Sequence, residues 1–277
     1  MYPTLFSFGP ISISSFGVCM ALAFVVFTFL IWRDARNHGI ADEKIFDNIL
    51  SVTLAILTMS RVFFLVTHWS IFSPNLLRSF LVWKYPGLSF WGGIFGGVVT
   101  FYVLGRKQGL SSMRLFDMYA RALPLALFFI SLGIFLDGSV VGRETRWVTG
   151  MAQVGLTGKH HPVGLYGLVL VIIFMVSLLF ARRIQVKKDL SHGFSGWIAL
   201  SFLGLGELLL AFFRSDTLYW NGFSVDYIIA TILFVGPWGP IYKEIHGTEL
   251  IKKSLATLKK RGESVYAKIS KTRSDRH

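Results

Sequence analysis

The chain has 277 residues, of which 53% are hydrophobic and only 16% are charged, and its mean hydropathy is +0.57. This composition excludes an ordinary soluble domain, which has no use for so much apolar surface, and indicates an integral membrane protein. The formal net charge of +13 does not indicate nucleic acid as a partner, because no nucleic-acid-binding module accompanies it. The chain has one cysteine, Cys19, so it cannot form an internal disulfide, and we interpret Cys19 as a small core residue.

Long apolar runs recur seven times, and each is near the roughly 20 residues that a helix needs to cross a bilayer. We therefore predict an all-α integral membrane protein with seven transmembrane helices. No lysine or arginine precedes the first run, so we interpret it as a retained span and not as a cleavable signal peptide. The predicted spans cover residues 11–32, 47–67, 88–104, 115–136, 163–181, 194–213 and 225–242.

The basic residues predict the orientation of the spans, because connections rich in lysine and arginine stay in the cytoplasm. Most of the 28 lysines and arginines lie after the first, third and fifth spans and in the tail. This bias predicts an N-terminus outside and a C-terminus in the cytoplasm. Residues 1–246 are then a transmembrane domain, and residues 247–277 are a basic tail whose apolar residues recur at the spacing of an amphipathic helix on the inner leaflet.

Four ionisable residues fall within the apolar runs, where an isolated charge is costly: Arg61, Arg121, Glu207 and Asp226. One interpretation pairs Glu207 with Arg61 or Arg121. Another assigns both arginines to a phospholipid headgroup, because guanidinium groups match phosphate oxygens. A polar transport pathway is less favoured, since no inverted repeat is evident in the spans.

The segment from Pro86 to Gly93, PGLSFWGG, opens the third predicted span. Its glycines allow the backbone to approach another group closely, which suits a ligand site. Trp91, at its centre, offers bulk, stacking and one N–H donor but cannot accept a proton.

The longest predicted external connection, residues 137–162, is interpreted either as a functional loop or as a solvated connector. It ends in His161, and Tyr166 follows at the start of the fifth span. These two side chains suit either a reactive site or simple anchoring at the membrane surface. Arg214, just after the sixth span, either holds a phosphate or extends to the headgroup level.

A series of short motifs carries a family resemblance. The motifs are SFGPISI at residues 7–13, SRV at 60–62, GLSFWGG at 87–93, DGSVVGR at 137–143, HP at 161–162 with LY at 165–166, and FFR at 212–214. In this order, over residues 5 to about 245, the chain resembles the prolipoprotein diacylglyceryl transferases. The resemblance implies a protein of the bacterial plasma membrane that moves the diacylglyceryl group of phosphatidylglycerol to the thiol of a lipobox cysteine. It implies no metal ion and no cofactor.

The resemblance also implies site residues, several of which differ in this chain. Family members have a histidine before the paired glycines of the third span, an arginine and an asparagine late in the fourth, and an arginine and a glutamate in the sixth. The corresponding residues here are Trp91, Ser131, Ile134, Glu207 and Ala211. Where a cation would attract the lipid phosphate, the carboxylate of Glu207 repels it.

Two hypotheses follow. If transfer activity is retained, His161 or His160 is the catalytic base, and cations hold phosphatidylglycerol or another anionic phospholipid while a lipobox-containing precursor protein docks. Otherwise the chain is a catalytically inactive family member that binds a phospholipid or a membrane partner without turnover. The predicted substrate-binding residues are Arg61, Trp91, Gly92, Gly93, Arg143, Tyr166, Glu207 and Arg214.

Overall fold

A computed structural model describes residues 3–8, 11–81, 84–85, 87–153, 156–215, 219–220 and 223–247. At residues 8, 11, 219, 220 and 223 it describes the backbone alone. The amphipathic helix predicted for the tail falls on residues 248–277 and lies outside the described residues.

Within these ranges the chain is a bundle of helices, and every predicted span is helical over most of its length. In chain order the helices are α1 (Ser15–Asn37), α2 (Asp42–Thr67), the short α3 (Trp69–Phe72), α4 (Phe90–Lys107), α5 (Ser112–Asp137), α6 (Val163–Lys188), α7 (Phe194–Phe213) and α8 (Val225–Val235). A turn follows α8, and residues 238–247 are again helical. A 3-10 helix at Leu76–Ser79 lies between α3 and α4.

Two small antiparallel hairpins precede membrane helices. Strand β1 (Thr4–Phe8) pairs with β2 (Ile11–Ser14), and β3 (Tyr219–Trp220) pairs with β4 (Phe223–Ser224). The prediction of a helix from residue 11 is wrong at its start, because residues 11–14 alternate isoleucine and serine and pair as a strand. Helix α1 begins at Ser15, where the Oγ of Ser14 accepts a hydrogen bond of 3.0 Å from the amide of Gly17.

Among the described residues, 6 helices are long and apolar enough to cross a membrane: α1, α2, α5, α6, α7 and the stretch Val225–Gly247. The protein is therefore an all-α, multi-pass membrane protein. Helix α4, which has 18 residues, contains several glycines and ends in Arg106 and Lys107, is not among these six.

Four glycines in the first half of α4 face α2. A Cβ atom at Gly92 would lie 2.5 Å from the carbonyl oxygen of Met59, and one at Gly96 would lie 2.7 Å from that of Ala55. The two helix backbones thus approach more closely than larger residues would allow. Gly93 meets the same helix, so the predicted contact of Gly92 and Gly93 with substrate stays a prediction beside an observed packing role.

At the opposite end of the bundle from residues 138–162, α1, α2 and α5 share an apolar core that includes Ile31, Ala35, Ile45 and Leu115. Beside it, Arg121 is paired with Asp34, with Nη2 and Nε of the guanidinium 2.6 and 3.0 Å from the same carboxylate oxygen. This ion pair stabilises a charge within a predicted span.

A buried carboxylate organises the start of α7. Asp117 of α5 is 1% exposed and accepts hydrogen bonds from the amides of Gly193 and Gly196, at 2.8 and 2.9 Å. The side-chain amide of Gln185 donates a third, also at 2.9 Å. Helix α7 has no side-chain cap of its own, so Asp117 satisfies amides that would otherwise lack partners.

Candidate functional site

Helices α4, α5, α6 and α7 enclose a cleft in the half of the bundle next to residues 138–162. Its empty volume, including the space at its mouth, is ≈ 560 Å³. Most of the lining is apolar, as with Phe174, Phe202 and Leu210, and two polar side chains, Ser131 and Glu207, are part of it. A mostly apolar cleft with a few polar groups is typical of a site for an amphiphilic ligand.

Two of the residues at which the chain departs from the motif pattern lie at this cleft. Ser131 and Glu207 line it, and Trp91 follows Phe90, which also lines it. The indole Nε1 of Trp91, whose side chain is buried, donates a hydrogen bond of 2.7 Å to Oδ1 of Asp226. The cleft therefore presents a carboxylate and a hydroxyl where the resemblance implied two arginines.

Glu207 is paired with Arg214. Its Oε2 lies 3.5 Å from Nη1 of Arg214, which follows α7 and extends back along about two helical turns. The interpretation that Glu207 pairs with Arg61 or Arg121 is wrong, because Arg214 approaches Glu207 while Arg121 binds Asp34. The guanidinium of Arg214 therefore lies next to the cleft-lining carboxylate of Glu207.

Residues 138–162 are docked against the end of α7. The amide of Arg143 donates to the carbonyl oxygen of Phe213 at 2.7 Å, and its side-chain Nε donates to that of Arg214 at 3.0 Å. Within this connection Gly142 packs against His161, because a Cβ atom there would lie 2.0 Å from the carbonyl oxygen of His161. The connection is thus anchored to the helix that carries Glu207 and is not merely a solvated connector.

His161 lies where this loop meets α6 and is only 9% exposed. Its ring centroid is 4.9 Å from that of Phe213 and 5.6 Å from that of Trp147, both edge-on. Burial lowers the pKa of His161 below its ordinary value of 6.5, because removal from water disfavours the charged ring. The imidazole is therefore neutral near pH 7 and able to accept a proton.

A chain of hydrogen bonds orients the imidazole. Nδ1 of His161 lies 3.0 Å from the hydroxyl of Tyr166, which lies 2.9 Å from Oγ1 of Thr149. The ring makes no other hydrogen bond within the described ranges, which leaves Nε2 as the nitrogen for an incoming proton. Sequence reasoning missed Thr149 and Trp147, and no motif marks them, because only the folded loop brings them to His161.

Arg61 is not among the residues that line the cleft. Its Nε and Nη2 donate to the carbonyl oxygen of Ser79 at 3.3 and 3.0 Å. Its Nη1 donates to the carbonyl oxygens of Tyr85 and Gly87 at 2.9 and 3.0 Å. The structure thus groups Arg143, His161, Tyr166, Glu207 and Arg214, with Trp91 beside the cleft, and leaves Arg61 as the organiser of the connection before α4.

Comparison with known proteins shows the family of the chain. The chain is 28% identical over 218 residues to the phosphatidylglycerol–prolipoprotein diacylglyceryl transferase of Geobacter sulfurreducens, an alignment that covers 76% of this chain and 82% of that protein. It is 24% identical over 264 residues to the enzyme of the same name from Ligilactobacillus salivarius, covering 90% and 96%. The enzyme of Listeria monocytogenes is 24% identical over 244 residues, covering 84% and 86%. Since the prolipoprotein diacylglyceryl transferase family model also matches residues 3–241, the chain belongs to that family.

Proposed function

We propose that this protein binds a phospholipid in the cleft and transfers its diacylglyceryl group to the cysteine thiol of a lipobox-containing precursor. Phosphatidylglycerol, named in the relatives, is the proposed donor. The observation that carries the proposal is that His161, Arg143 and Arg214 meet at the end of α7, the helix whose Glu207 lines the apolar cleft. A base and cations next to a hydrocarbon site are the groups that this transfer needs.

The proposed topology has seven spans, with the N-terminus outside and the C-terminus in the cytoplasm of the bacterial plasma membrane. Helix α4, the third span in chain order, brings the six candidate helices to seven. Its 18 residues extend about 27 Å, and four of its glycines pack along α2, which is itself a candidate span. The cleft then opens in the outer half of the bilayer, where a secreted precursor is accessible. The basic tail, residues 247–277, lies on the inner leaflet.

The proposed step balances with groups of this site. The thiol sulfur forms a bond to the carbon that joins the diacylated glycerol to the phosphate. The bond from that carbon to the phosphate oxygen breaks. Glycerol phosphate leaves with the electron pair, and the thiol proton passes to Nε2 of His161. Arg214 and Arg143 stabilise the charge that develops on the leaving phosphate.

The test is an assay of purified protein with phosphatidylglycerol and a lipobox peptide. We expect release of glycerol phosphate together with a diacylglyceryl peptide, and a loss of about 10²-fold or more with His161→Ala, since that is the usual contribution of a general base. His246→Ala is the matched control, because His246 is exposed on the last described helix. No release above a boiled sample, under conditions in which a motif-complete relative works, contradicts the proposal.

A second candidate function, lipid or precursor binding without turnover, is favoured by one specific observation. At the position of the family histidine the indole of Trp91 donates its N–H to Asp226 and has no site for a proton. Co-purification of phospholipid without any glycerol phosphate release supports this candidate. The double variant Trp91→His with Glu207→Arg then gains release if the cleft is the site of the transfer.

A further inference from the structure

His160, the residue before His161, contacts two backbone carbonyl groups of the loop that carries it. Its Nδ1 lies 2.9 Å from the carbonyl oxygen of Gly142, and its Nε2 lies 3.1 Å from the carbonyl oxygen of Thr157. The side chain is half-buried between them. Because both ring nitrogens face acceptors, His161 and not His160 is the base of the proposed transfer.

The two contacts require a hydrogen on each nitrogen of the His160 ring. A carbonyl oxygen accepts a hydrogen bond but cannot donate one, so the nitrogen must be the donor. A neutral imidazole has a single N–H, and its other nitrogen would then present a lone pair to a carbonyl oxygen. Only the imidazolium form donates to Gly142 and Thr157 together.

The two carbonyl groups lie on the two stretches of the loop that position His161. Gly142 lies on the stretch that docks against α7, where it pairs with Arg214 in an isolated β-bridge. Thr157 lies on the stretch that returns to α6, from which the amide of His161 donates to the carbonyl oxygen of Arg143 at 3.1 Å. The imidazolium therefore joins the stretch that is anchored to α7 to the stretch that carries the proposed base.

We infer that His160 is a positioning residue whose doubly protonated ring clasps the loop around His161, and that loss of one ring proton opens the clasp. The protonated ring is the bonded one, so the clasp is complete at lower pH and is lost as the pH rises. The effect on transfer rests on the proposed function, whereas the clasp itself does not depend on turnover.

The neighbouring charges leave His160 as the group that changes state on the alkaline side. The titratable and charged residues on the segments packed beside its ring are Arg143, Glu144, Lys159, His161 and Arg214. Arg143 donates from Nε to the carbonyl oxygen of Arg214, and the guanidinium of Arg214 lies beside Glu207. His161 is already neutral above its lowered pKa, so raising the pH does not alter its charge. Glu144, which pairs with His160 in a β-bridge, carries a charge opposite to that of the imidazolium.

The experiment follows the protonation of the His160 ring and the protection of the loop in the same purified full chain. Nitrogen NMR of histidine-labelled protein reports the ring, whose signals are assigned by their absence in His160→Gln. Hydrogen exchange, corrected for its intrinsic rise with pH, is measured at the amides that the loop pairing protects, those of Thr145, Met151 and His161. We expect exchange to become about tenfold faster as the ring loses its second proton, the factor for one hydrogen bond.

Two variants separate the charge of residue 160 from its shape. His160→Gln has one donor nitrogen and no charge, so the loop should exchange at the faster rate at every pH. His160→Arg has permanent charge and several N–H donors, so the loop should keep the slow rate after the unaltered protein has lost it. His246→Gln, at an exposed histidine on the last described helix, is the matched control and should follow the unaltered protein.

Loop exchange that stays constant while the His160 ring loses its proton overturns the inference, and so does a ring with a single hydrogen while the loop is protected. In the transfer assay, the rate of the unaltered protein should fall on the alkaline side together with loop protection, and His160→Arg should lack this fall. The expected exchange behaviour without any release of glycerol phosphate supports the clasp and contradicts the proposed transfer alone.

Discussion

The indole N–H of Trp91, at the start of α4, donates to a carboxylate oxygen of Asp226, at the start of α8, over 2.7 Å. The two residues are 135 positions apart in the chain. At the position where the resemblance implies a histidine, this protein therefore has a side chain whose hydrogen bond joins two membrane helices. Because the indole N–H is bonded to a carboxylate, we expect a substitution of Trp91 to change the stability of the fold.

We expect Trp91→Phe to lower stability by about 1.5–3 kcal/mol, because a hydrogen bond to a charged group is lost. Trp91→His keeps a ring N–H and should recover part of that loss. Thermal unfolding of the purified protein in detergent measures both. Trp69→Phe, at a side chain that is 56% exposed, is the control and should change stability little. Equal effects of the two phenylalanine substitutions would show that the bond contributes nothing.

Gly96→Ala should separate α4 from α2. The added methyl group would lie 2.6 Å from Cβ of Met59 and 2.7 Å from the carbonyl oxygen of Ala55, so backbone must move. Overpacking of this kind costs about 1–3 kcal/mol. The change is measured as a fall in the unfolding midpoint, whereas Gly239→Ala, with no atom within 4 Å, should be neutral or slightly stabilising. A midpoint unchanged in Gly96→Ala would contradict the close packing of the two helices.

Asp117→Asn should destabilise the junction of α5 and α7. The carboxylate accepts two backbone hydrogen bonds and one from Gln185. The side-chain amide of asparagine would place its own N–H donors opposite one or more of these donors, and at least one hydrogen bond would be lost. We expect a loss of about 1–3 kcal/mol and faster hydrogen exchange at the start of α7. Asp189→Asn is the control, since Asp189 is exposed with φ 51, a conformation that asparagine adopts readily. Identical exchange in the two variants would exclude this capping role.

Stability should fall on acidification because of His161. Its pKa in the folded protein is below 6.5, so the unfolded chain binds more protons between the two pKa values. The contribution of the neutral ring is complete above pH 6.5 and is lost as the pH falls from there through the folded-state pKa. Unfolding midpoints near pH 7.5 and about pH 5 should differ more for the unaltered protein than for His161→Gln, which cannot titrate. If the unfolding midpoint of His161→Gln depends on pH as strongly as that of the unaltered protein, other groups cause the effect.

The same low pKa predicts the pH dependence of transfer. Because burial lowers the pKa of His161 below 6.5, the acid limb of the rate should begin below that pH. Tyr166→Phe removes the hydroxyl that Nδ1 contacts and should shift this limb as well as lower the rate. A rate that falls with no shift of the limb would indicate a purely structural contribution from Tyr166.

Much of the architecture could be predicted from the sequence because it depends on local composition. Apolar runs of sufficient length become helices in a bilayer, and the order of short motifs indicates the family without any contact being known. The start of α1 is the exception, since the alternation of residues 11–14 favours a strand that only pairing with β1 stabilises. At residues 11–14 the alternating pattern of a strand overlaps the apolar run that predicts a helix. Pairing with β1 selects the strand.

The partners of the charged residues were decided by the tertiary structure alone. Glu207 is equally compatible, in sequence, with Arg61, Arg121 or Arg214, and the rotation and packing of α7 select Arg214. The glycines beside Trp91 indicate a close approach, but only the bundle shows that the approach is to α2. Sequence by itself determined the class of protein, the positions of its helices and its family, because burial in lipid and motif order are properties of the chain. Which side chains share the cleft depends on how those helices pack, since packing brings residues far apart in sequence within a few ångströms.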